Sequence, residues 1–383
     1  MKAATLEFLK QRFTDYYEKE YLLVPPSLGQ REWGFIFFDP DYPEIRMRRH
    51  IGFSSREELI TYIRSMVPAH AYYSTAYYVT PGAPTMGEKQ WLGADLIFDL
   101  DADHIVRGPY DVMLRRVKEE TEKLISMLTD EMGFDPGVIS IVFSGGRGYH
   151  VHIRDIAVRG WGSGERRELI DYVCGIGLDP ALVLNHRTPS PRGWHHRYIS
   201  SLTEYLQRLD TMDQGEAVRE LSTLEGVGKV TAEEFYRKRR ELMERLNNSP
   251  ESVNFRDHMI GKVLPALLDA KEGDFYTRLV GRAARADEPV TTDIKRLIRM
   301  PSSLHGGSGL RVTPVGIREF PDFDPLTDAV VFGDRIIKTD VSMKLGMSIQ
   351  GNQYQLEKGV NDVPEALAVF LCCRGIAEIA GGA

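Results

Sequence analysis

The stretch Ala94 to Leu100 (ADLIFDL) is apolar enough to be a buried strand, yet it runs straight into Asp99-Leu100-Asp101. Side chains alternate along a strand, so positions i and i+2 share a face, with their Cα atoms ~7 Å apart. A fold that buries this strand must therefore present two carboxylates side by side. Two anions so placed raise one another's proton affinity unless a cation lies between them. A divalent ion resolves the conflict, and Mg²⁺ favours one or two carboxylates completed by water and phosphate oxygens. A plain acidic turn at a strand end is the competing reading. Asp95 and Asp103 share the parity of Asp99 and Asp101, but one opens the strand and the other lies beyond it, so both rank lower.

About forty residues on, VISIVF and YHVHI read as two strands joined by Ser144-Gly145-Gly146-Arg147-Gly148. Glycines let backbone N–H groups approach a phosphate, while Ser144 and Arg147 add side-chain donors. His150 follows on the second strand, with His152 on the same face. This is no P-loop, because GK[ST] is missing. A simple hairpin turn remains the alternative. A third segment holds Asp293, then Lys295, Arg296 and Arg299, then Ser302, Ser303 and His305 after Pro301. It suits a triphosphate clamp beside a further acid, and equally a solvated basic helix end. Upstream, Arg31-Glu32-Trp33 precedes the buried run Gly34 to Phe38. Arg46, Arg48, Arg49 and His50 cluster in MRRHIGF, where alternation separates Arg49 from the other three.

Elsewhere the chain alternates strands and helices up to about residue 160. Met1 to Tyr17 patterns as an amphipathic helix, and Ser54 to Met66 as a helix with Ser54 and Glu57 as its capping box. Met47 to Phe53 and the Tyr-rich Ala71 to Val79 read as strands, and Asp111 to Glu131 as a charged helix. From 161 to 272 the pattern becomes helix after helix. The expectation is an α/β (α+β) core, a mixed sheet flanked by helices, formed by 1–160 and 273–383, with an inserted all-helical subdomain. Glu365 to Ile379 reads as a final helix.

A net charge of −7 over 383 residues confines any nucleic-acid site to a local basic patch. Apolar runs fall short of the ~20 residues a membrane helix needs, and the N-terminus lacks an apolar signal core, so a cytoplasmic location is expected. Cys174, Cys372 and Cys373 form no CxxC pair and read as packing residues. No nucleophile stands beside an obvious base, which disfavours a covalent intermediate.

Singly these motifs are weak; their order is specific. FDLD, SGGRGYHVH and DIKRLIRMPSSLHG in succession, with REWGF, MRRHIGF and RELIDYV, resemble the small catalytic subunit of archaeo-eukaryotic DNA primase, archaeal type, across about 30 to 310. The resemblance implies the primase catalytic fold. It implies that Asp99, Asp101 and Asp293 bind catalytic Mg²⁺ or Mn²⁺, and that Ser144, Arg147, His150, Arg299 and His305 bind nucleotide phosphates. Arg49 and Glu32, matching the family's RH and RE motifs, would line the site. It further implies nucleotidyl transfer from nucleoside triphosphates on a single-stranded DNA template, with a primase large subunit as heterodimer partner and no membrane. One departure stands out: the family's Cys/His zinc knuckle after the DxD strand is missing, since 102–140 hold no cysteine and only His104, so no structural zinc is expected. A repair or gap-filling polymerase of the same superfamily, a non-catalytic nucleic-acid-binding subunit and a DxD glycosyltransferase are the alternatives.

Overall fold

In the computed structural model, residues 1–38, 47–105, 107–185 and 188–380 are described. Two compact units emerge: Met1–Glu122 with Phe134–Ile170 and Arg285–Ala383, and Lys123–Gly133 with Asp171–Ala284.

The first unit is α+β, built on two four-stranded sheets. Its strands are β1 (Trp33–Phe37), β2 (Arg48–Ile51), β3 (Pro68–Ser74), β4 (Ala76–Tyr78), β5 (Trp91–Ala94), β6 (Leu96–Asp101), β7 (Ile139–Phe143), β8 (Gly148–Ile153), β9 (Leu297–Arg299) and β10 (Thr313–Val315). One sheet runs β2-β1-β3-β9 and the other β10-β7-β8-β6, while β4 and β5 form a separate ribbon. The expectation of one mixed sheet is thus corrected: every ladder among the described residues is antiparallel. Hairpins and long excursions, not βαβ crossovers, connect the strands. Beyond β10, Ile336–Val341 pairs with Gly359–Pro364 and Ala377–Ile379, and Leu345–Ile349 pairs with Asn352–Leu356.

The Tyr-rich run expected as one strand is cut at Thr75 into β3 and β4, and the acidic strand is cut at Asp95 into β5 and β6. The cause is a buried ion pair. The Arg31 guanidinium, fully buried, donates to the carbonyls of Ser74 (2.9 Å) and Thr75 (2.6 Å) and to Asp95 Oδ2 (2.8 Å). Tyr77 Oη donates to the other Asp95 oxygen at 2.5 Å. Asp95 therefore fixes the strand change and stays out of any solvent-facing site.

Helices follow the apolar periodicity. Ala3–Lys19 buries Leu9, Phe13, Tyr16 and Tyr17. Arg56–Met66 is capped one residue later than expected, since Ser55 Oγ accepts Glu58 N while Glu58 reaches back to Ser54 N. The last helix spans only Glu365–Cys373. Gly375, at φ +69°, stops it, and the chain turns back as the strand Ala377–Ile379. Cys372 and Cys373 are buried, whereas Cys174 is only half-buried, against the expectation for all three. No helix among the described residues is long and apolar enough to cross a membrane.

The second unit is helical. Gly193–Thr211, Gln214–Ser222, Lys229–Asn248, Ile260–Asp269 and Asp274–Val280 close on a core that includes Trp194, Leu202, Phe235, Val263 and Phe275. Its limits differ from 161 and 272 for physical reasons. Arg166 is buried in the first unit, donating to the carbonyls of Ala94 and Asp95 (both 2.9 Å). Phe275 and Leu279 belong to the helical core. Glu131 joins that unit by accepting Arg197 Nη1 (2.9 Å) and Tyr172 Oη (2.7 Å).

Arg31→Ala removes the closest cation from buried Asp95, leaving it the Tyr77 hydroxyl and Arg154 at 3.7 Å, and strips two carbonyls of their donor, which together cost ~3–5 kcal/mol. Chemical denaturation should show a loss of that order, and a change under 1 kcal/mol would deny the pair its role in dividing the strands.

Candidate active site

The ladder between β6 and β8 places Asp99 opposite His150 and Asp101 opposite Gly148. Leu96, Phe98 and Leu100 are buried on one face, and Ile97, Asp99 and Asp101 take the other. The DLD motif thus lies against the glycine-rich hairpin of β7 and β8. Asp99 and Asp101 open into a cleft of about 580 Å³ whose lining also includes Arg49, Ser144, Arg147, His150, Asp293, Arg299 and His305. The structure therefore gathers nine of the ten sequence-selected residues.

Glu32 is the exception. It is fully buried behind the cleft, where Oε1 accepts from Arg49 Nε (3.0 Å) and His50 N (3.2 Å). The buried Lys89 ammonium stands 3.8 Å from its other oxygen. Glu32 orients Arg49 and does not itself line the cleft. Arg46, grouped with these basic residues, lies outside the described residues.

Asp99 sits at the cleft floor with one-fifth of its side chain exposed. Burial, then the charges of Asp101 and Asp287, raise its pKa to about 7, with Arg296 and Arg299 opposing. His150 Nε2 stands 3.7 Å from Asp99 Oδ1. Burial, then Arg299 and Arg296, lower the His150 pKa to about 3, so its ring is neutral in the physiological range.

The Gly-rich turn and the SLHG loop interlock. Ser144 Oγ accepts from Gly146 N (3.2 Å), and Ser308 Oγ donates to Gly145 O (2.5 Å). Gly145 holds φ +74°, and a Cβ there would lie 2.7 Å from His305 Cβ, so only glycine permits the approach. His305 Nδ1 accepts from Gly307 N (3.1 Å). Arg147 pairs with Asp103, which gives that lower-ranked acid a supporting place. Arg299 reaches His70 Nδ1 at 2.7 Å and covers the Tyr72 ring at 5.0 Å. His70 also meets the His305 ring edge-on at 4.9 Å.

Several contributors escaped the sequence reading. His70, Tyr72, Tyr110 and Arg374 carry no local motif and are brought in by tertiary structure. Asp287 did leave a signal: Asp287-Glu288-Pro289 is a helix-start pattern, and a short helix Glu288–Thr292 follows. That helix packs on β6, and Asp287 N donates to Asp99 O at 2.8 Å. Its carboxylate makes no capping hydrogen bond, and its charge acts on Asp99. Asp293, past the other end, is exposed; its carboxylate accepts from Lys295 N (2.9 Å), and its charge acts on Tyr78 and Arg166.

Paired carboxylates facing a wall of arginines suit a polyanion joined to the carboxylates through cations. Among the described residues no three His, Cys, Asp or Glu side chains converge as a ready-made metal cage. Two adjacent carboxylates, one of them buried and crowded by like charge, nonetheless fit an ion that keeps waters and takes substrate oxygens.

Comparison with known proteins agrees with this chemistry. Residues 98–317 match the family of the DNA primase small subunit. Over 99% of the chain and all of the relative, it is 58% identical to the DNA primase small subunit PriS of Methanoregula boonei. Identity to the proteins of that name from Methanospirillum hungatei and Methanosphaerula palustris is 54%, over the whole chain and 98% and 100% of the relatives. The chain belongs to the DNA primase small-subunit family. Arg49, Tyr72 and Arg374 line the same cleft from outside the matched span.

The raised proton affinity of Asp99 gives a stability prediction for metal-free protein. Its unfolded pKa is ~3.9, so the folded state binds the proton more tightly. That contribution is fully present below about pH 4 and is lost as pH rises towards 7. Asp99→Asn lacks the penalty. In chelator, the melting temperature of Asp99→Asn relative to the unsubstituted protein should rise between pH 4 and 7 and level off above. A difference independent of pH would contradict the assigned environment.

Proposed function

We propose that this chain is the catalytic subunit of a DNA primase, joining nucleotides into short primers on single-stranded DNA by two-metal nucleotidyl transfer. The observation that carries this reading is the cleft in which Asp99 and Asp101 face Arg49, Arg147 and Arg299. Asp99 and Asp101 would hold Mg²⁺ or Mn²⁺, which lowers the pKa of a 3′-hydroxyl and offsets charge on the phosphorus under attack. Asp287 is favoured over Asp293 as the third acid, because its backbone is bonded to Asp99 and its carboxylate is not spent on capping.

The remaining residues hold the incoming triphosphate. Ser144 and Arg147 present donors from the hairpin, and Arg299 and His305 from the opposite loop. His150 and His305, both kept neutral by burial and nearby arginines, contribute hydrogen bonds without adding charge. Arg49, fixed by Glu32, reaches the same substrate from the far wall. In-line attack of the hydroxyl on the α-phosphate forms the new ester and releases pyrophosphate. Partnership with a primase large subunit follows from the relatives' description as small subunits, and an acidic chain gains from a partner that helps hold template.

The test is incubation with single-stranded DNA, labelled nucleoside triphosphates and Mg²⁺ or Mn²⁺, with and without a large subunit. De novo oligomers should fall by about a hundredfold or more in Asp101→Ala. Unchanged synthesis would sink the site. Extension confined to supplied primers would favour a repair polymerase. Asp287→Asn should lose activity as Asp101→Ala does while Asp293→Asn loses less; the reverse order would return the third place to Asp293.

A further inference from the structure

Arg374 stands at the end of the helix Glu365–Cys373, just before the glycine that stops it, and it lines the cleft. Its guanidinium has no hydrogen bond and no carboxylate partner among the described residues. It lies 5.4 Å from the centre of the Tyr110 ring. Tyr110 Oη in turn donates to Gly146 O at 2.5 Å, inside the Gly-rich turn. Among the other arginines of the cleft, Arg49 is engaged with Glu32, Arg147 with Asp103 and Arg299 with His70, while Arg296 extends from the strand edge beside Asp293. A cation at a helix C-terminus gains ~0.3–1 kcal/mol from the helix dipole, which would account for an arginine there but not for its place over Tyr110 in the cleft.

We propose that Arg374 binds the terminal phosphates of the incoming nucleoside triphosphate, with Tyr110 as the positioning residue that ties it to the Gly-rich turn. The assignment deepens the nucleotide reading given above and rests on it for the identity of the substrate. The chemistry required is narrower: a polyphosphate held by a fork of N–H donors. Arg374 shares one cleft lining with Tyr110, Gly146, Arg147 and Asp101, and the Tyr110 ring ties it to the Gly-rich turn. A triphosphate whose α-phosphate lies beside Asp101 would extend its outer phosphates along the same lining to Arg374. Arg374 thereby distinguishes triphosphates from monophosphates and steadies pyrophosphate as it leaves.

The experiment measures binding of inorganic tripolyphosphate, and separately a nucleoside triphosphate and its monophosphate, to the full chain by calorimetry. Arg374→Gln should weaken tripolyphosphate and triphosphate about tenfold and leave monophosphate unchanged. Arg374→Lys, which keeps the charge without the fork, should fall between. In primer synthesis, Arg374→Gln should raise KM for the triphosphate more than it lowers kcat. Tripolyphosphate binding equal to that of the unsubstituted chain overturns the proposal, as does a lowered melting temperature with no change in affinity. Arg374-dependent tripolyphosphate binding in a chain that makes no primers would leave this site standing and overturn the primase reading instead.

Discussion

Antiparallel pairing of β6 with β8 is the constraint on which the site depends. It sets Asp99 beside His150 and Asp101 beside Gly148. A slip of one residue would turn every side chain of β6 to the opposite face. Leu96, Phe98 and Leu100, all fully buried, make that slip costly, because it would pull them out of their packing and drive the carboxylates into the core in their place. The hydrophobic core thus holds the acids in place. A carboxyl with a pKa near 7 survives at the cleft floor only because its neighbours are fixed this firmly.

A second layer of buried charge determines where that ladder begins. Arg31 and Asp95 break two strands at matching points, so β3 and β6 enter different sheets and the cleft opens between them. Buried ion pairs add little net stability but are costly to break. Here the pair also specifies topology, since Arg31 satisfies the carbonyls that a continuous strand would have paired elsewhere. Glu32, next in sequence, points to Arg49. Adjacent residues of one turn thereby link strand division to site assembly.

These arrangements explain what the sequence could disclose. The α+β class, the DLD strand and the SGGRG hairpin were legible because alternation and turn chemistry are local. The cuts at Thr75 and Asp95 were not, since the deciding partner is Arg31, more than forty residues away. The early stop of the last helix was readable in principle from Gly375, but the apolar run around it suggested continuity. Asp293 drew attention by standing among cations. Asp287 sits eight residues before the first of them, and only the short helix after it brings its backbone onto Asp99. Spacing could not separate the two acids; the fold does.

The cleft also shows how a protein of net charge −7 can bind a polyanion. Three of its arginines are held before any ligand arrives: Arg49 by Glu32, Arg147 by Asp103, Arg299 by His70 and the Tyr72 ring. Such pairing spends part of each charge but removes side-chain freedom that binding would otherwise have to freeze. His70 costs least, because burial and Arg299 itself keep it neutral, so it orients the guanidinium without cancelling it. Preorganised donors act most strongly where water is sparse, as at the buried floor beside Asp99. Local charge and rigidity, not the average over the chain, decide what this surface attracts.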